Sequence, residues 1–172
     1  VDLSAVQVQK AARTIRELKI TNIEVFHLGI EQITPEFGQF DYIICHGIYS
    51  WVPEAIREKI MAVCQAHLAP QGVAYISYNT LPGWNVVKSI REMMLYHTKG
   101  IDSPIEKAKE SRNLLQFMVT GLGNDQAPYA NFLRNEIAIL AKQPDSYLVH
   151  DHLGEVNEPC YFYEFVEHAK RY

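Results

Sequence analysis

The sequence predicts an α/β fold in which a parallel sheet is followed by an all-helical lobe. Three observations carry this. Over the first 80 of the 172 residues the apolar pattern switches between helical and strand periods in the order helix, strand, strand, helix, strand, the alternation of a parallel sheet. Phe40 to Cys45 is a nearly continuous apolar run, as expected of a strand covered on both faces. Beyond Trp84 three further segments show helical periodicity with no strand pattern between them.

In chain order, Val8, Ala11, Ala12, Ile15 and Leu18 recur at helical spacing. Ser4 with Gln7 forms a capping box, which predicts a helix over 4–19. Ile23 to Leu28 alternates apolar and polar residues and reads as a strand; Phe40 to Cys45 is the next. After Trp51-Val52-Pro53, where proline suits a first helical turn, Ile56, Ile60, Val63, Cys64 and Leu68 line one face. Ala69-Pro70-Gln71-Gly72 then stops the helix, giving 53–68, and Val73 to Tyr78 is a third strand. Val86 to Tyr96, Ile105 to Val119 and Tyr129 to Leu140 are helices of the second half. Ser103, Pro104 and Glu106 start the second of these, Gly121-Leu122-Gly123-Asn124 ends it, and a last helix runs from Tyr161 to the end. The expected domains are therefore 1–84 and 85–172. The absence of an initiator Met, with Val1-Asp2-Leu3-Ser4 reading as a strand end turning into a helix, leads us to expect a chain that begins inside a fold.

Apolar residues make up 48% and charged residues 21% of the chain, an ordinary globular composition. Sixteen Lys and Arg against twenty Asp and Glu give a net charge of −4, and no window is rich in basic residues. This argues against nucleic-acid and membrane-surface binding. No apolar run approaches the ~20 residues of a transmembrane helix and no secretory leader is visible, so a cytoplasmic protein is expected. Cys45, Cys64 and Cys160 are odd in number and far apart, which disfavours a disulfide framework or a structural zinc site. Residues 1–100 hold nine basic and nine acidic residues, 101–172 hold seven and eleven, so the helical lobe carries the net −4. Such a lobe suits a protein or regulatory surface, self-association included.

Ligands of parallel α/β sheets sit beyond the C-terminal strand ends. The residues there are Asp2, Gly29 to Glu31, His46 to Trp51 and Tyr78 to Trp84. Asp2, at a strand end before a helix, is placed to accept both hydrogen bonds of a ribose diol, or to cap the helix together with Ser4. His150-Asp151-His152 with Glu155 and Cys160 offers mixed metal-ligand types, but the spacing matches no strong motif and a structural turn is the plainer reading. Tyr161-Phe162-Tyr163 with Phe165 and Val166 reads as a core or interface face.

These segments resemble class I S-adenosylmethionine-dependent methyltransferases. Val1-Asp2-Leu3-Ser4 with Gln7 and Ala11-Ala12-Arg13 is similar to the acidic second-strand motif and its helix. Phe40-Asp41-Tyr42-Ile43-Ile44-Cys45-His46-Gly47 is similar to the fourth strand, and Leu68-Ala69-Pro70-Gln71-Gly72 to the turn before the fifth. More narrowly, His46-Gly47-Ile48-Tyr49-Ser50-Trp51-Val52-Pro53 and Ser77-Tyr78-Asn79-Thr80-Leu81-Pro82-Gly83-Trp84 resemble bacterial members with a predicted methyltransferase regulatory domain. Tyr147 to Leu153 and Asn157 to Phe162 resemble that regulatory segment, so the likeness covers essentially the whole chain.

The resemblance implies a partial Rossmann-like parallel sheet followed by the helical regulatory lobe. It implies S-adenosylmethionine as cofactor, held by Asp2, Leu3, Gly29, Ile30, His46, Gly47 and Trp51, and an acceptor met by Tyr49, Trp51, Asn79 and Trp84. His46 and Tyr49 become the catalytic candidates, His46 either as a base toward a hydroxyl or amine or as a fixture of its loop. Tyr49, Trp51 and Trp84 are suited to stacking on adenine, facing the sulfonium or shaping the acceptor pocket, with packing as the plain reading of Trp84. Asn79 holds an acceptor group or anchors its own turn.

Two departures matter. The glycine-rich first motif is absent, because Gly121-Leu122-Gly123 lies between helices, and the first strand is expected upstream of Val1. In His27-Leu28-Gly29-Ile30-Glu31, Gly29 stands where an acid usually follows the third strand, leaving Ile30 to wall the adenine and Glu31 to replace the acid. The acceptor reads as a protein lysine or a small-molecule hydroxyl or amine. A non-catalytic binding module is the rival, and a nucleotide-dependent oxidoreductase leaves the Leu-Ala-Pro-Gln-Gly turn and the His46 motif unexplained.

Overall fold

A computed structural model describes all 172 residues. In order the elements are α1 (Ala5–Glu17), β1 (Phe40–Cys45), α2 (Glu54–His67), β2 (Leu68–Ile76), α3 (Trp84–His97), α4 (Pro104–Leu122), α5 (Pro128–Ala141), α6 (Asp145–Tyr147) and α7 (Phe162–Ala169). They form two units, one of residues 1–78 with 163–172, the other of residues 79–162.

In the first unit the Ser4 side chain caps α1 by accepting from the Gln7 N–H at 3.4 Å. Val8, Ala11, Ala12 and Ile15 form a half-buried stripe, whereas Leu18 is 65% exposed because the helix has already ended at Glu17. The strand expected over Ile23 to Leu28 does not form. Alternation makes a strand only where a neighbour supplies a ladder, and this segment finds one isolated bridge, Asp2 to His27, with the Asp2 N–H on the Phe26 carbonyl at 3.0 Å.

β1 and β2 pair in parallel, Tyr42 opposite Val73 and Cys45 opposite Ile76. The sheet thus has two strands rather than the three expected. Nor is Ala69-Pro70-Gln71-Gly72 a separate turn: β2 starts at Leu68 directly after α2, and an irregularity between Phe40 and Tyr42 accommodates the extra residues. Glycine is required there, since a Cβ on Gly72 would come within 3.0 Å of the Phe40 carbonyl oxygen. Pro53 sits one position before α2, extended at ψ 159°. α2 packs against both strands and buries Ile60, Met61, Val63 and Cys64. The other sheet face is uncovered: Tyr42 and Ile44 are 74% and 72% exposed, so the strand expected to be covered twice is covered once.

The second unit is helical, as the periodicity predicts. Ile90 and Met94 of α3, Leu115 of α4, Leu133, Ile137 and Leu140 of α5, and Leu153 make one core. Ser103 caps α4 by accepting from the Glu106 N–H at 3.4 Å, Pro104 follows in the first turn, and Gly123 ends the helix at φ 48°. Ser103→Ala is expected to cost about 1 kcal/mol, read as a lower urea midpoint with unchanged slope. His150-Asp151-His152 lies in a π-helical turn, Leu148–His152, with His152 1% exposed. No group of three or more His, Cys, Asp or Glu in the structure could hold a metal ion. No helix is long and apolar enough to cross a membrane.

Candidate functional site

The C-terminal end of β1 runs into a loop that carries most of the candidate residues. Gly47 turns the chain at φ 70°, a backbone conformation that side chains resist, and its N–H donates to Ser77 Oγ just beyond β2 at 2.8 Å. The two strand ends are thereby tied together. His46 is exposed and its ring stacks on Tyr75, with centroids 6.0 Å apart and planes nearly parallel. Residues 49–51 form a short 3₁₀ turn, closed by the Trp51 N–H on the Ile48 carbonyl at 2.8 Å. Of the site candidates here, His46 is open to a ligand, while Tyr49 is only 3% exposed.

A second group gathers around α1. Asp2 Oδ1 accepts from the N–H of Ser4, the capping residue of α1, at 2.7 Å, and as an exposed group it keeps a second oxygen for a ligand. The carbonyl of Leu3, itself exposed, lies 3.0 Å from His27 Nε2. Asp2, with Val1, Gln7, Val8, Ala11, Val25 and Phe26, borders a groove of about 310 Å³. A third group is the 3₁₀ turn of Ile30–Gln32. The Gly29 N–H donates to Gln32 Oε1 at 2.7 Å, and the Glu31 carboxylate fills the space a Cβ on Gly29 would need. The second unit holds the remaining pair. Asn79 is 9% exposed, its carbonyl accepting from the Cys160 N–H at 3.1 Å and its amide donating to Asn157 at 3.4 Å; Trp84 opens α3.

Residues that sequence reasoning missed anchor the loop. Tyr49 Oη lies 2.6 Å from His168 Nδ1 on α7, and His168 Nε2 lies 3.2 Å from Glu58 Oε1 on α2. Glu58 also accepts from Arg171 at 2.8 Å and from the Tyr172 hydroxyl at 2.6 Å. The Tyr172 hydrogen bond, then the charges of His168 and Arg171, hold the Glu58 carboxyl below its ordinary pKa, and the same bond raises that of Tyr172. Phe165, one turn before His168, stacks on Tyr78 at 4.3 Å and meets the Tyr49 ring edge-on at 5.4 Å. The i, i+3 spacing of Phe165 and His168 was the available signal. Cys45 and Cys64 offer no nucleophile, because burial, aided by their proximity, pushes the Cys45 thiol up to about 11, and burial raises that of Cys64.

A capped helix, parallel strands and candidate residues at their C-terminal ends make an α/β domain of the class whose ligands sit beyond the strand ends. Residues 1–72 match the family model described as a methyltransferase domain, and residues 144–172 that of a predicted methyltransferase regulatory domain. Among relatives, RP028 of Rickettsia prowazekii, an uncharacterized protein, is 44% identical over 99% of this chain and 68% of its own length. RP789 of the same organism, also uncharacterized, is 49% identical over the whole chain but only 31% of its own length. The solved structure of PKMT2 from Rickettsia typhi superposes with a TM-score of 0.85 at 45% identity, over 99% of this chain and 32% of that one. Its complex with AdoHcy gives 0.83 at 44% identity. The chain thus spans about a third of the length of RP789 and PKMT2. It belongs to the methyltransferases that carry a predicted methyltransferase regulatory domain.

Proposed function

We propose that the chain is the part of an S-adenosylmethionine-dependent methyltransferase that carries the ribose-binding acid and the loop facing the transferred methyl group. The observation that carries this reading is the 44% identity, over 99% of the chain, to PKMT2 from Rickettsia typhi, whose structure is a complex with AdoHcy, the demethylated product of that cofactor. The geometry agrees with it. Asp2 keeps one carboxylate oxygen beyond its capping bond, and the exposed His46 stands at the end of β1.

Methyl transfer from a sulfonium is an in-line displacement, so the protein supplies positioning, exclusion of water and removal of the acceptor's proton. Asp2 would bind the ribose hydroxyls and Ile30 would wall the adenine. His46 would take the acceptor's proton; its exposed ring at the end of β1 supports this role. The acceptor we favour is a protein lysine, a cationic nucleophile that the acidic second half, with seven basic and eleven acidic residues over 101–172, would attract. A small-molecule amine or hydroxyl is the second choice.

Calorimetry of AdoHcy binding tests the reading. Asp2→Asn keeps a capping oxygen but loses the charge that ribose hydroxyls meet, so binding should weaken about tenfold while helix content and Tm hold. The measurement is made on this chain and on a form extended upstream to include the expected first strand: if neither binds AdoHcy, or if Asp2→Asn in the binding form binds as well as its parent, the assignment is overturned.

A further inference from the structure

We infer that His168 is a positioning residue for the loop at the end of β1, so that the regulatory segment's last helix forms part of the methyltransferase unit and sets the shape of its site. Residues 163–172 fall within the stretch matched to the regulatory domain, 144–172, yet they fold with residues 1–78. The connection is specific. The Tyr49 hydroxyl meets His168 Nδ1 at 2.6 Å, and the other ring nitrogen, Nε2, lies 3.2 Å from the Glu58 carboxylate.

Glu58 flanks the ring on one side and the phenol meets it on the other, so the ring is held between α2 and the loop. Arg171 and Tyr172 in turn fix Glu58. Tyr49 itself cannot touch an acceptor, since it is 3% exposed and its hydroxyl is committed to α7. It serves instead as the anchor of residues 46–51, three residues from the exposed His46 and two from Trp51. In this inference Tyr49 is a structural anchor under the control of α7, in place of the catalytic role that the resemblance implies for it.

What the loop holds rests on the methyltransferase reading; that α7 anchors the loop does not. The test therefore uses a readout that needs no ligand. Trp51 and Trp84 are the two tryptophans of the chain, so in a Trp84→Phe background Trp51 reports on the loop alone. His168→Leu should raise acrylamide quenching of Trp51 about twofold with helix content retained, as expected of local opening, and His168→Gln, which keeps an acceptor, should restore part of the protection. Tyr49→Phe, which removes one hydroxyl, should reproduce the Leu effect if the bulkier change prevents folding. Added to His168→Leu it should change nothing more, the mark of a shared contact. AdoHcy binding should weaken in parallel. Folded variants in which Trp51 stays as protected as in the parent overturn the inference. Failure of both this chain and its upstream-extended form to bind AdoHcy, with quenching still responding to His168, overturns only the function proposed above.

Discussion

Met94→Ala is expected to be the most damaging single substitution in the helical unit, lowering its stability by about 2–5 kcal/mol. Met94 is 0% exposed on α3, inside the core formed with Leu115 of α4 and Leu133, Ile137 and Leu140 of α5. Truncation removes apolar burial and leaves a cavity whose walls belong to three helices, so no one of them can move in to fill it. Against a typical domain stability of about 5–15 kcal/mol, a loss of this size reaches a large fraction of the total. Urea unfolding followed by helical circular dichroism measures it. Tyr96→Ala on the same helix, at a residue 84% exposed, is the matched control and should stay within about 0.5 kcal/mol. Equal midpoints for the two variants would refute the core described for this unit.

His152 should make the same unit acid-sensitive. Its ring is 1% exposed, packs 5.5 Å from the Tyr147 ring, and neither ring nitrogen has a hydrogen-bond partner. Burial holds its pKa below the ordinary 6.5, with Arg91 of α3 pushing the same way and Asp151 of its own turn opposing. The unfolded chain therefore binds more protons than the folded one in this range, so stability is full above pH 6.5 and falls as the pH drops through that value. The loss levels off once the folded-state pKa is passed. Tm measured from pH 8 to pH 5 should decline less steeply in His152→Leu than in the parent. At pH 8 the variant should be at least as stable, because an apolar side chain leaves no orphaned buried nitrogens. A parallel decline in both proteins would refute the assignment.

The helical half was legible because its signals are local. Ser103 and Pro104 start α4 where the sequence places them, and apolar residues at helical spacing in α5 become Leu133, Ile137 and Leu140 of the core. The β-rich half was less legible because a strand is defined by its neighbour. Ile23 to Leu28 alternates correctly yet makes a single bridge, and the Ala69 to Gly72 stretch, rich in turn formers, is drawn into β2 by pairing with β1. The site shows the same division. Asp2, His46 and Gly47 are candidates that strand-end position alone nominates, whereas Glu58, His168, Arg171 and Tyr172 act through contacts more than a hundred residues apart in sequence. No window along the chain contains such a contact.

The split of the first unit into residues 1–78 and 163–172 has a bearing on how the molecule comes into being. A ribosome adds ~5–20 residues each second, so the helical unit is synthesised in full, and free to fold on its own local contacts, while Tyr49 still awaits its acceptor. The earlier-made half is thus the later to finish. Until residues 163–172 emerge, its aromatic anchor is open to solvent and to chaperones. Ribosome-bound chains ended before and after His168 should differ in protease resistance within residues 46–53 rather than in the helices.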